Sequence, residues 1–228
     1  MSTLADYLAF AKAHPGLFVN PPQGGITILL GEDEIREAEK QEAQRLEAHV
    51  MPAEWAKVGI AYRDQYVLLL RDAVRFPDGS LGTYIRSVDE DERAPGVVVI
   101  PFYQGHMLLI RHFRHGTRTW HLEVPQGFGI PGFSSEESIR LELQQEISAT
   151  VSRLVSLGRF HPDASVGANV VELFYADIGT YGEVELQEGI AELLLTPVAE
   201  VERMIRENVI DNVFLLVAYA RAKLHGLI

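Results

Sequence analysis

Glu142 and Glu146 stand four residues apart in the run SSEESIRLELQQEISA, just after a loop that carries Gly127, Gly129 and Gly132. On a helix this spacing sets two carboxylates about 40° apart on one stripe. Like charges so placed repel each other and weaken the helix. A divalent cation reverses the sign of that interaction. Hard oxygen ligands suit magnesium or manganese, which take one or two protein carboxylates and leave their remaining positions to water and phosphate oxygens. The glycines add a second ingredient, because a backbone without side chains can approach an ion or anion closely. A pair of glutamates alone is also what an ordinary solvated helix carries, so the surrounding elements have to decide.

Those elements can be read from the pattern. Ser134 and Glu137 have capping-box spacing, so a helix is predicted from Ser135. Ile139, Leu143 and Ile147 then share one arc of about 80°, and the two carboxylates border it. Before this helix come short β-branched or aromatic runs, KVGIAYRD, YVLLLRDAVRF, GSLGTYIRSV, GVVVIPFY and HMLLIRHFR, separated by turn signals such as Pro77-Asp78-Gly79 and Gln104-Gly105. After it come VSRLVSLGRFH and NVVELFYADI, again strand-like. Two helices close the chain. One is expected with Thr196 as N-cap and Pro197 at its first position, the other beginning on Asp211 and stopping near Gly226. The order of strands, helix, strands and two helices predicts an α/β (α+β) protein, a mixed sheet with helices on its faces.

The first 52 residues read differently. TLADYLAFAKAH puts Leu4, Tyr7, Leu8 and Ala11 on one helical face, VNPPQGG is a turn-rich linker, and GEDEIREAEKQEAQRLEAHV is a charged helix with acids in its first turn. Residues 1–52 are therefore expected to be a helical extension, and 53–228 the main domain. As a packing arm or a contributor to a binding site, this extension remains open at the level of sequence.

Composition limits the function classes. The net charge is −12 over 228 residues, which argues against a nucleic-acid polymer as partner, since binding phosphates along a strand normally needs a basic field. A small phosphorylated ligand is compatible, because a few arginines and a cation can offset local repulsion. There is no cysteine, which excludes disulfides and thiol catalysis. No run approaches the length of a membrane span, and the N-terminus lacks a positive start followed by an apolar core, so a cytoplasmic location is expected. The eight histidines lack H-E-x-x-H spacing, and His121 among them is expected to be structural or exposed. PDASVG is not a G-x-S-x-G elbow.

The glycine loop and helix resemble a divergent Nudix box, whose family pattern is G-x5-E-x7-R-E-U-x-E-E-x-G-U with U aliphatic. Gly127 matches the first glycine, and Glu142, Leu143 and Glu146 match the second half. Upstream, RHFRHGTRTWHLEVPQG is similar to the run that leads into the box in ADP-ribose pyrophosphatase-type members. Downstream, ENVIDNVFLLVAYARAKL resembles their closing helix. The similarity spans roughly Val58 to Leu224. It departs from the pattern at four positions: Phe133 stands for a glutamate, Leu141 for the arginine, Gln145 for the penultimate glutamate and Ser148 for the glycine. Losing the arginine and its supporting glutamate together replaces a charged pair by a neutral one, which strands no charge.

The resemblance implies a Nudix-type mixed sheet between helices and assigns roles by position. Glu142 and Glu146 are the metal ligands, with the backbone carbonyl of Gln126 joining the shell of Mg2+ or Mn2+. Arg111 and Arg114 are the diphosphate-binding arginines, whose guanidinium forks suit phosphate oxygens. Glu123 orders the site or binds ligand. Glu188, in GEVELQEGIAE, is the acid–base residue, with Leu186 where a second carboxylate would stand. The implied activity is divalent-cation-dependent hydrolysis of a nucleoside diphosphate linked to another moiety, ADP-ribose or a nucleotide sugar, by a homodimer. The four departures keep a second expectation in view, a Nudix-fold module that binds a nucleotide or protein without cleaving it.

Overall fold

A computed structural model describes residues 3–88, 95–182 and 189–228. The chain divides into two compact units, residues 1–92 with 163–169, and residues 93–162 with 170–228.

In the first unit, helix α1 (Leu4–Ala13) starts behind a reciprocal cap. Thr3 Oγ1 accepts from the Asp6 N–H at 3.2 Å, and the Asp6 carboxylate accepts from the Thr3 N–H at 2.9 Å. Tyr7, Phe10 and Ala11 are its buried residues, so Phe10 joins the face predicted from the sequence. Strand β1 (Thr27–Leu29) precedes α2 (Glu32–Ala48), which opens with Glu32, Asp33 and Glu34 at the positive end of its dipole. Strands β2 (Gly59–Arg63), β3 (Leu68–Arg75) and β4 (Leu81–Val88) follow. β3 pairs antiparallel with β4 along its whole length and with β2 and β1 in succession. Tyr7, Phe18, Ile35, Leu68 and Leu70 form the core, so helices of residues 1–52 pack on strands from beyond residue 53.

The second unit is a seven-stranded mixed sheet. Its strands are β5 (Gly96–Tyr103), β6 (His106–Arg114), β7 (Thr119–Glu123), β8 (Gln126–Gly127), then, after helix α3 (Ser135–Ile147), β9 (Thr150–Phe160), β10 (Val171–Thr180) and β11 (Ile190–Pro197). The main order is β11-β6-β5-β10-β9, parallel only between β5 and β10. Helices α4 (Val198–Arg206) and α5 (Val213–Leu224) end the chain. Strand alternation sorts the core into two layers. Val97, Val99, Leu108 and Ile110 pack with Ile139, Leu143 and Ile147 of α3. Val98, Ile100, Phe102 and Leu109 pack with Val201 of α4 and with Leu215, Ala218 and Ala222 of α5. The sheet is thus sandwiched between helices, as the order of elements predicts.

Two expected helix starts are corrected. Thr196 is not an N-cap but a buried residue of β11, which runs on to Pro197, and α4 begins at Val198 with Pro197 in the capping position. The apolar run before it pairs with β6, so the ladder holds Thr196 extended opposite Met107. The last helix is capped by Asn212, whose Oδ1 accepts from the Leu215 N–H at 3.0 Å, rather than by Asp211. Among the described residues no helix is long and apolar enough to cross a membrane.

Candidate active site at a split in the seven-stranded sheet

β5 and β6 pair only next to their turn, Phe102 with Met107 and Tyr103 with His106, and then diverge. The chain that follows fills the wedge. β7 pairs with β6, setting Glu123 opposite Ile110, and three residues later β8 pairs with β5, setting Gln126 opposite Val98. Between them Val124 is buried and the Pro125 carbonyl accepts from the Val99 N–H at 3.0 Å. Proline, which has no N–H to give, suits a crossing where a donor would be lost. The run EVPQG therefore steps from one strand to the other and leaves Glu123 and Gln126 in the opening.

Glu123 is 1% exposed and heavily bonded. Arg114 Nε donates to its Oε2 at 2.9 Å and Arg114 Nη2 to the same oxygen at 2.5 Å. Gln126 Nε2 donates to it at 3.2 Å, and Asn212 adds another hydrogen bond. Burial pushes the Glu123 carboxyl above its ordinary range, against the opposing pull of Arg114. A carboxylate so surrounded fixes its neighbours' positions. Arg114 is held in one orientation with a third of its side chain exposed, and its Nη1 donates to no acceptor among the described residues.

Arg114, Glu123 and Gln126 line one cavity of about 530 Å³, closed on its other side by Asp211, Asn212 and Phe214 at the start of α5. Thr117 and His121, from the β6–β7 hairpin, complete it. The sequence offered no signal for the α5 residues or for His121 as members of a site. His121 and Asp211 meet across 90 residues of chain, and no local periodicity encodes such a pairing.

Next to this wall, Gly127 and α3 meet closely. A β-carbon on Gly127 would collide with the carboxylate of Glu142. The glycine predicted for close backbone approach thus makes room for one of the two predicted carboxylates. Ser134 caps α3 as expected, its Oγ accepting from the Glu137 N–H at 3.2 Å while Glu137 accepts from the Ser134 N–H at 2.8 Å. Ile139, Leu143 and Ile147 are fully buried, Glu146 is 4% exposed, and Glu142 is half-buried at the rim. Leu141, Gln145 and Phe133, three of the departures from the Nudix pattern, are exposed. Ser148, the fourth, ends the helix at φ 50° in the left-handed region where glycine is favoured.

Arg111 is placed elsewhere. It stands three residues from Arg114 on the same strand, hence on the other side of it, with its guanidinium 5.2 Å from the Trp120 ring centre and 3.9 Å from Glu192. Glu188 and Leu186 lie outside the described residues. Glu142 and Glu146 lie on α3 and are not among the residues lining the cavity.

Among the described residues no cluster of three or more acidic or imidazole side chains could hold a metal ion. Two carboxylates one helical turn apart, with a backbone carbonyl nearby, still match a hard cation that keeps water and phosphate in its shell. The space that Gly127 leaves for the Glu142 carboxylate fits such a donor set.

No protein-family model matches the chain, and no curated protein matches its sequence. Its structure is similar to one described as a crystal structure of an ADP compounds hydrolase, with a TM-score of 0.64 and 19% identity over 75% of this chain and 95% of that one. The fold is that of this hydrolase.

Proposed function

We propose that the protein is a Nudix-type pyrophosphohydrolase that cleaves a nucleoside diphosphate linked to a second moiety, ADP-ribose or a nucleotide sugar. The observation that carries this reading is the Glu142 carboxylate seated against Gly127, next in the chain to Gln126 on the wall of the Arg114 cavity. It supports a cation-dependent and a phosphate-binding function side by side.

In this reading Glu142, Glu146 and the Gln126 carbonyl hold Mg2+ or Mn2+. When bound there, the ion offsets the charge of the diphosphate and makes phosphorus more open to attack. Arg114, aligned by Glu123, binds phosphate oxygens through its outward nitrogen. Glu188 accepts a proton from the attacking water as the new P–O bond forms and the anhydride P–O bond breaks, releasing a monophosphate. Arg111 serves this reaction only by leaving Trp120 and Glu192, so Arg114 is assigned the main phosphate contact. The active form is a homodimer.

Exposed, neutral Leu141 and Gln145 favour the second reading, a module that binds without cleaving. Release of monophosphate from ADP-ribose and nucleotide sugars, measured with and without Mg2+ or Mn2+, separates the two. Cation-dependent turnover that Glu146→Gln reduces by about a thousandfold, roughly 4 kcal/mol of barrier, supports the hydrolase. Tight binding with no product under either metal overturns it.

A further inference from the structure

The cavity beside Arg114 holds groups to which phosphate binding assigns no task. His121 Nδ1 lies 3.1 Å from Asp211 Oδ1, and Thr117 Oγ1 lies 2.7 Å from His121 Nε2. With its proton on Nδ1, the ring donates to the carboxylate and accepts from the threonine hydroxyl, so it is fixed at both nitrogens. The His121 side chain is 14% exposed and that of Asp211 65%. Asp211 is thereby held at the cavity while Oδ2 accepts from no described residue.

These groups define the complementary ligand. Arg114 offers a cationic donor, while Asp211 offers an acceptor that requires a neutral donor opposite. A second phosphate at Asp211 would meet like charge. Hydroxyls would not. A volume of about 530 Å³ exceeds what one phosphate fills. Phe214 adds an apolar surface for ring C–H groups. The geometry points to Asp211, positioned by His121 and Thr117, as the residue that selects substrates carrying a hydroxyl-rich sugar beyond the diphosphate. This inference rests on the diphosphate reading above and names the half of the substrate that occupies this cavity.

The test compares two non-hydrolysable probes of equal charge on the full chain in Mg2+, α,β-methylene ADP-ribose and the β-methyl ester of α,β-methylene ADP, which differ by the second sugar. Calorimetric titration of the unsubstituted protein is expected to show about tenfold tighter binding of the ADP-ribose analogue, equal to about 1.4 kcal/mol. In Asp211→Ala, an exposed substitution that should fold, the two analogues bind alike. His121→Gln, which leaves the carboxylate but frees it, retains about a threefold preference. A full preference in Asp211→Ala, or a loss shared equally by both probes, overturns the proposal. Equal binding by the unsubstituted protein, with ADP-ribose itself still cleaved, also overturns it and leaves the hydrolase reading standing. Failure to bind either probe, with no cleavage, overturns both.

Discussion

Two buried carboxylates in this protein are each gripped by an arginine, and they do different work. In the first unit Asp72, 2% exposed, accepts from the Tyr7 hydroxyl at 2.6 Å and from Arg86 Nε at 2.5 Å. The Arg86 guanidinium lies 5.1 Å from the Phe18 ring centre, and burial together with Asp72 pushes the Tyr7 phenol far above its usual range. The outer nitrogen of that guanidinium, Arg86 Nη2, is buried, although 22% of the side chain is exposed. In the second unit Glu123 is equally buried, yet its arginine lines a cavity and donates from Nη1 to no acceptor among the described residues. The ion types are nearly the same; what surrounds the outer edge of the guanidinium makes one pair a strut and the other part of the candidate site.

Removing the strut should have the largest effect on folding. Asp72→Ala leaves Arg86 and Tyr7 without their acceptor, and a loss of about 3–5 kcal/mol is expected in urea unfolding. A loss below about 1 kcal/mol would erase the distinction between the two networks. Gly127→Ala drives a methyl group into the Glu142 carboxylate. It should cost about 1–3 kcal/mol from overpacking and abolish Mn2+ binding measured by calorimetry; intact metal binding would separate Glu142 from the proposed site. Arg114→Lys keeps the charge but loses the fork. Turnover of ADP-ribose should fall at least tenfold, about 1.4 kcal/mol, with little change in melting temperature, whereas a purely structural Arg114 would show the reverse. The smallest effect is a gain. Ser148→Gly relieves a left-handed side chain at the end of α3 and should stabilise the protein by about 0.5–1 kcal/mol, read as a higher melting temperature with no change in ligand affinity.

Much of the candidate site was legible along the chain, because it depends on short-range spacing. The capping box at Ser134, the buried arc of Ile139, Leu143 and Ile147, and a glycine positioned for close approach are all local features, and each is found where the residues place it. Glu123 lines the candidate cavity, where its carboxylate accepts from Arg114 and Gln126 and bonds with Asn212. The pairing of Arg111 with Arg114 did not carry into space, since two arginines an odd number of residues apart on a strand diverge. Thr196 and Asp211 resemble helix caps by type, but a strand ladder claims one and a histidine far away in sequence claims the other.

Residue spacing along the chain dictates where helices and most strands form and which two carboxylates share one stripe of α3, because these follow from the 3.6- and 2-residue periods of the backbone. It takes the folded chain to show that β5 and β6 part, that EVPQG crosses the gap, and that the start of α5 brings Asp211 to His121. Such meetings arise from packing between elements remote along the chain, and local spacing carries no trace of them.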